Sequence, residues 1–268
     1  MLREIGEGVF VWCGAGRLDS PNAGVVVEDD GITVIDTLLV ASQAAELAAA
    51  LETFGRPVRR VVLTASHVPY VGGSSTFTLA AVYGSATTSA ELDLPANIAG
   101  YQYLFAEHAA EFATLSTRKV SHVVHQPAWL TPRIVAVPLP GHQAYNLAVQ
   151  VPHANVVFAG ALCSFGARPL GFEADFGAWL TSLDQLVQWG EIIVPGVGPI
   201  GDAGDLALFA GYLAACIDAA EAGSPRTSGE WSDWAHPEFD PVNVERAAMV
   251  ARGDHGPPPA ALALFGMS

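Results

Sequence analysis

The sequence predicts an α/β fold in which two β-sheet units pack face to face, with helices on their outer surfaces. Short β-branched runs alternate with Ala- and Leu-rich stretches at helical spacing, and the order strands, helix, strand, helix occurs twice along the chain. Of 268 residues 51% are hydrophobic and only 15% charged, which is ample material for a large buried double sheet. No linker-like composition separates the two halves. One domain over residues 1–222 is therefore expected, with residues 223–268 as a C-terminal extension packed on it.

The first half opens with strands at Val9–Trp12, Gly24–Val27 and Ile32–Ile35, the last two joined at an Asp30-Gly31 turn. Ala41–Phe54 carries apolar residues at helical spacing and is closed by Gly55 and Pro57. Arg59–Thr64 is an almost continuous apolar run, the pattern of a strand buried on both faces. A Gly-Gly-Ser-Ser turn at 72–75 leads toward a short helix, and a further helical stretch is expected between Ala90 and Leu115. In the second half, strands are predicted at Ser121–His125, Ile134–Pro138, Leu147–Val151 and Val156–Ala159, with residues 152–155 as a hairpin tip. Phe176–Trp189 reads as a helix, Ile192–Val194 as a buried strand, Gly204–Ala220 as an Ala-rich helix and Val242–Ala251 as a last helix.

Charge excludes whole classes of partner. Twelve Lys+Arg against twenty-seven Asp+Glu leave a formal charge of −15. Nucleic acid and anionic lipid both require the opposite field, so neither is expected as a partner. The longest purely apolar stretch, Leu206 to Ile217, is bracketed by Asp205 and Asp218 and falls short of the ~20 residues that span a bilayer. Met1-Leu-Arg-Glu4 does not begin a secretory leader, and Cys13, Cys163 and Cys216 form no C-x-x-C. These features fit a reduced, cytoplasmic protein. Apolar helices and the tail tryptophans Trp231 and Trp234 suggest a homodimer face.

Among chemical motifs, Gly196-Val-Gly198-Pro-Ile-Gly201 matches G-x-G-x-x-G, but no strand follows to complete a βαβ unit and Pro199 interrupts the turn. A Gly/Pro-rich strand-to-helix loop is the simpler reading. A G-x-S-x-G nucleophile elbow is absent. Cys163, beside Leu162 and Phe165, has the surroundings of a packed thiol. His122 and His125, three apart in a strand, point to opposite faces. His108, His153, His236 and His255 fall in surface contexts. His67 and His142 differ: each directly follows a strand, and loops at strand ends are where chemistry is mounted.

Five segments around these histidines resemble the metallo-β-lactamase superfamily of hydrolases. They are Asn22-Ala-Gly-Val-Val-Val through Ile35-Asp-Thr37, Val61-Val-Leu-Thr-Ala-Ser-His-Val-Pro-Tyr-Val-Gly-Gly73, Pro138-Leu-Pro-Gly-His142, Val156-Val-Phe-Ala-Gly-Ala161 and Ile192-Ile-Val-Pro-Gly-Val-Gly-Pro199. Their order and spacing over residues 5–215 imply that family's four-layer αβ/βα sandwich. The resemblance also implies structural roles for Asp36, which would hold the loop, and for Gly72-Gly73, which would permit a tight turn. The ligand set that the resemblance implies is mostly lost. The family's H-x-H-x-D-H loop falls on Ala65, His67, Pro69 and Tyr70, its bridging aspartate on Ala161 and its last histidine on Val197. Only His67 and His142 keep ligating side chains.

Zinc catalysis needs about three protein ligands and an open position, so no metal-ligating set is assigned and β-lactamase or glyoxalase-type hydrolysis does not follow from the fold. Zinc or iron would require an atypical mononuclear site around His67 and His142, completed by Tyr70, Cys163 or a tail residue such as His255. Three readings remain open. The first is a cleft for a small hydrophobic or aromatic molecule, in which His67, His142 and Tyr70 do metal-free acid–base work. In this reading Ser66, Tyr145, Cys163 and Phe165, with Phe172, contact the ligand. The second is a non-catalytic binding or scaffold module, and the third is the atypical metallo-hydrolase.

Overall fold

The computed structural model of the chain describes residues 1–266. Seven strands form the first sheet in sequence order: β1 (Leu2–Gly6), β2 (Val9–Trp12), β3 (Ala23–Glu28), β4 (Gly31–Ile35), β5 (Val58–Val62), β6 (Ala81–Ser85) and β7 (His122–Val124). The second sheet has the order β12-β11-β10-β9-β8, from β8 (Ala128–Thr131), β9 (Ile134–Leu139), β10 (Asn146–Val151), β11 (Val156–Ser164) and β12 (Ile192–Val197). Neighbours among β1–β4 and β8–β11 are antiparallel, whereas β4 to β7 run parallel and β11 pairs parallel with β12.

Period-two alternation makes the layers. Val26, Ile35 and Val62 face Leu147, Val149 and Phe158 between the sheets, while their neighbours Val25, Val34 and Val61 face outward. Those outward residues pack with Ala44, Leu47 and Leu51 of α1 (Ala41–Leu51). Ala148, Val157 and Ala159 of the second sheet are covered by α6 (Phe176–Leu186) and α7 (Ala203–Glu221). Between α1 and α6 lie the shorter helices α2 (Val68–Val71), α3 (Ala86–Leu92), α4 (Ile98–Leu104) and α5 (Ala109–Phe112). The result is the expected αβ/βα sandwich. By length and composition α7 could cross a membrane, yet its stripe Leu206, Phe209, Leu213 and Cys216 is buried in the core beside the second sheet.

The structure departs from the sequence reading in informative places. The β3–β4 tip is Asp29-Asp30, and Gly31 (φ 147°) already pairs with Glu28. Strands β1, β6 and β8 are additional. β1 carries Arg3 and Glu4 and lies at a sheet edge, where alternation weakens. The stretch expected to be helical between Ala90 and Leu115 is broken into pieces, with Pro95 between α3 and α4. β11 runs past Ala159 to Ser164, with register shifts against β12 on both sides of Gly160 (φ 50°). The Gly196–Gly201 loop holds protein rather than presenting a phosphate cradle. Asn22 Nδ2 donates to Pro195 O (2.9 Å) and Gly198 O (2.8 Å), and a Cβ on Gly196 would lie 2.7 Å from the Tyr70 hydroxyl. Trp231 and Trp234 pack on Tyr212 and on each other within the chain.

After residue 222 the chain continues through a loop to α8 (Asp240–Ala251) and α9 (Pro259–Leu264). Buried Arg168 pairs with buried Asp240 (2.8 Å) and donates to Trp234 O (2.6 Å), which fixes this extension to the loop after β11.

At the end of β4, buried Asp36 sits in the left-handed region (φ 61°) and receives the Thr64 N–H (2.7 Å) and Thr64 hydroxyl (2.8 Å). Burial raises the Asp36 carboxyl to about 7 despite those two donors. An unfolded aspartate titrates at about 3.9, so between these values the folded state holds a proton that the unfolded chain has released. The associated stability is complete below pH about 4 and is lost as pH rises through about 7. Urea unfolding across that window should show the midpoint falling with pH, and Asp36→Asn, which cannot ionise, should flatten the slope. An unchanged slope in the variant would locate the dependence elsewhere.

Candidate functional site

The site lies where the strands end. β5 leads through Thr64 and Ser66 to His67, which occupies the N-cap position of α2. The following turn needs glycine: a Cβ on Gly72 would lie far inside contact distance of Leu39 O, and one on Gly73 would collide with Thr37 O. β9 leads to Gly141 (φ 153°), whose missing Cβ admits the Trp179 ring, and then to His142. The extra length of β11 carries Ala161 and Cys163 to the same end, and β12 brings Val197 there.

Together these segments open onto a cavity of about 500 Å³. Of the residues singled out from sequence, Ser66, His67, Tyr70, His142 and Cys163 line it, as does Phe172. Tyr145 and Phe165 do not. Tyr145 is half exposed away from the cavity, and buried Phe165 packs edge-on against Phe209 of α7. Pro69, Ala161 and Val197, three of the positions where the family's ligands are replaced, are in the wall, whereas Ala65 is buried in the core outside it. Much of the remaining wall is apolar, from Leu92, Leu104 and Phe105 of the α3–α5 region and from Ala261, Leu262 and Phe265 of the C-terminal extension.

The polar centre is a connected set. His67 Nε2 lies 3.2 Å from Glu173 Oε2. An ionised carboxylate can only accept, so the proton of that bond is on His67 Nε2. Gln143 Nε2 donates to the same Glu173 oxygen (3.1 Å) and to Ser66 Oγ (2.8 Å), while Gln143 Oε1 accepts from Ser66 N (3.0 Å). Partial burial alone would raise Glu173, but the His67 hydrogen bond and charge, with Gln143, hold its carboxyl down at about 2. The His67 ring stacks on Phe172 (5.2 Å) and meets His142 edge-on (4.8 Å), and His142 in turn meets Trp179 edge-on (5.3 Å). His142 is 5% exposed, and its Nδ1 has no hydrogen-bond partner among the described residues. Burial, reinforced by the neighbouring His67, pushes its imidazole down to about 3. Burial likewise raises the Cys163 thiol and the Tyr70 phenol far above neutrality, so both remain protonated and neither is a ready nucleophile.

These residues do not fit a zinc centre. Among the described residues no group of three or more His, Cys, Asp or Glu side chains is placed to hold a metal ion. His67 commits one ring nitrogen to Glu173, and Pro69, Ala161 and Val197 supply no donor. His255, considered as a completing ligand, is exposed and outside the cavity wall, whereas His236, expected at the surface, lines it. His236 adopts φ 63°, stacks on Phe239 and lies 3.0 Å from Glu238 through Nδ1.

Sequence reasoning missed Glu173, Gln143, Arg168 and His236. Gln143 adjoins His142 and could have been suspected from that adjacency. Glu173 has no local signal: it sits in an irregular loop between β11 and α6, one acidic residue among twenty-seven.

A sequence model of the metallo-beta-lactamase superfamily matches residues 16–190. Among solved structures, the chain is similar to the metallo-beta-lactamase FIM-1 from Pseudomonas aeruginosa in its mono-zinc form (TM-score 0.63, 19% identity, covering 80% of this chain and 94% of that one). It is also similar to TMB-1 (TM-score 0.63, 21% identity, 80% and 96%) and to a metallo beta lactamase from Erythrobacter litoralis (0.62, 18%, 80% and 95%). At these identities the likeness carries the fold, while the chemistry follows from the residues present.

The burial of His142 gives a direct spectroscopic expectation. Its ring resonances should stay at neutral-imidazole positions from about pH 5 to 8, where an ordinary histidine titrates near 6.5. Titration of His142 inside that window would contradict the buried geometry.

Proposed function

Because the chain belongs to the metallo-β-lactamase superfamily yet carries a Glu–His pair where zinc ligands would stand, we propose that it is a metal-free acid–base protein for an apolar small molecule. The observation that carries this reading is the His67–Glu173 hydrogen bond in the wall of the cavity. A carboxylate on one ring nitrogen fixes the tautomer and orientation of the imidazole and stabilises its protonated form, the part an acidic partner plays in acid–base sites of many folds. With Nε2–H donated to Glu173, the lone pair of His67 is on Nδ1, which can take a proton from a bound molecule or from water. His142 and Tyr70 stay uncharged and offer hydrogen bonds without attracting an ion.

The charge balance of the wall disfavours an anionic ligand, since Glu91 and Glu173 both line it. Arg168 is the one Lys or Arg among the described residues that line the cavity, and Asp240 neutralises it at 2.8 Å. Glu173 remains ionised. A carboxylate or phosphate would therefore enter without a free counter-charge, whereas an aromatic or alkyl body finds Phe105, Phe172, Leu262 and Phe265.

Neutral aryl esters and aryl ketones, titrated in the presence of EDTA, test the reading. A saturable rise in thermal midpoint is expected, unaffected by the chelator and abolished by His67→Ala. For any compound turned over, Glu173→Gln should lower the rate by about 10²–10⁴-fold with binding altered far less. Saturable binding with no turnover by any member would leave a non-catalytic binding module. Turnover that requires added zinc would overturn the metal-free reading.

A further inference from the structure

Residues 169–175 bring Phe172 and Glu173 to the cavity without helix or strand. Such a segment has no ladder of its own, so its backbone polar groups must find partners elsewhere. Asp175 N donates to Gly141 O (2.9 Å) and Ala174 N to Gly171 O (3.0 Å), and four others find partners on α8, in the extension. Asn243 Oδ1 accepts from Gly171 N (2.9 Å), and its Nδ2 donates to Pro169 O (2.8 Å). Arg246 donates through Nε to Ala174 O (2.8 Å), through Nη2 to Glu173 O (3.3 Å) and through Nη1 to Gly256 O (3.0 Å). Both side chains are buried. Asn243 is itself fixed by the Tyr212 hydroxyl (2.7 Å), which donates to Asp240 (3.0 Å), the partner of Arg168. The loop is thus held at Pro169, Gly171, Glu173 and Ala174 by two side chains beyond residue 190, where the family match ends.

We propose that Asn243 and Arg246 are positioning residues that hold Glu173 against His67, so that the C-terminal extension sets the acid–base pair of this chain. The proposal rests on the His67–Glu173 reading above. It explains why an arginine occupies the middle of a helix face packed on the domain: only a planar fork reaches two successive carbonyls and a third group at once, which an ammonium point donor cannot do. It also explains why the cavity wall and the orientation of its carboxylate have one source. Pro257, Ala261, Leu262 and Phe265 follow Arg246 directly and line the same cavity, and Phe265 meets Phe172 edge-on at 5.5 Å.

The test uses the full chain, isotope-labelled and ligand-free. In the wild type the Glu173 carboxyl should remain ionised from about pH 3.5 to 6, and at about pH 8.5, where an ordinary imidazole is neutral, the His67 ring should show its proton on Nε2. In Arg246→Ala, Glu173 should titrate inside that window, moving up by about two pH units toward the ordinary value near 4.3. The His67 ring pattern should then match that of Glu173→Gln. Arg246→Lys should fall between wild type and alanine. A folded Arg246→Ala with both signals unchanged would overturn the proposal. Where the alanine variant does not fold, Arg246→Lys and Asn243→Ser decide the matter: shifted signals support it and wild-type signals overturn it. Since nothing is bound in these measurements, failure of the proposed ligand chemistry would show separately, as absent binding with the positioning signals intact.

Discussion

Thr64 is the residue on which the rest of the architecture turns. Its N–H and hydroxyl are received by Asp36 at the end of β4. Its carbonyl accepts from Leu147 N (2.9 Å) and Asn146 Nδ2 (3.4 Å) in β10, and its hydroxyl oxygen accepts from Ala161 N (3.4 Å) in β11. A single residue therefore ties both sheets together at the end where the cavity opens. Gly160 makes the approach possible, because any side chain there would overlap the Thr64 side chain. Each bond contributes about 1 kcal/mol net, but leaving a buried partner unsatisfied costs about 1–3 kcal/mol. The knot is thus far more sensitive to partial loss than its individual bonds suggest, and it fixes where Ser66, His67 and Ala161 emerge.

That separation of scaffold from chemistry accounts for what stands at the ligand positions. Asp36, Thr64, Gly72, Gly73 and Gly160 are needed by the backbone itself, whatever the cavity contains. Pro69, Ala161 and Val197 are not; as apolar groups they remove the desolvation penalty that unpaired carboxylates or imidazoles would incur there. His142 illustrates the consequence. Its imidazole is buried beside Trp179, and its charge is suppressed by the same burial that packs it. Of the two histidines that follow β5 and β9, His67 is the one that meets a carboxylate, Glu173.

The layers were legible from sequence because they rest on period-two and period-3.6 patterns, and both survive in β3–β5, β9–β11, α1 and α7. The histidine pair was legible because each member directly follows a strand. What escaped was polarity used against its usual meaning. Glu173, Arg168 and Arg246 carry no local signal, since charged side chains are rarely buried unless paired. Here Arg168 is buried because Asp240 meets it, and Arg246 because carbonyls of an irregular loop occupy its donors. Such partners lie some seventy residues away in sequence and leave no local spacing to read. Phe165 failed for the opposite reason: its place near the family-like loops suggested the cleft, but the turn after β11 sends the ring toward Phe209.

The same long-range dependence joins stability to chemistry. The histidines emerge from the sandwich, which the Thr64 knot and the sheet ladders hold, whereas Glu173 hangs on a loop whose backbone is satisfied by the extension. Loosening α8 would leave the sheets intact and the histidines in place, yet it would release the carboxylate that orients one of them. The geometry of Glu173 against His67 thus depends on the grip of Asn243 and Arg246 on the loop backbone together with Gln143, which reaches the same carboxylate from the end of β9.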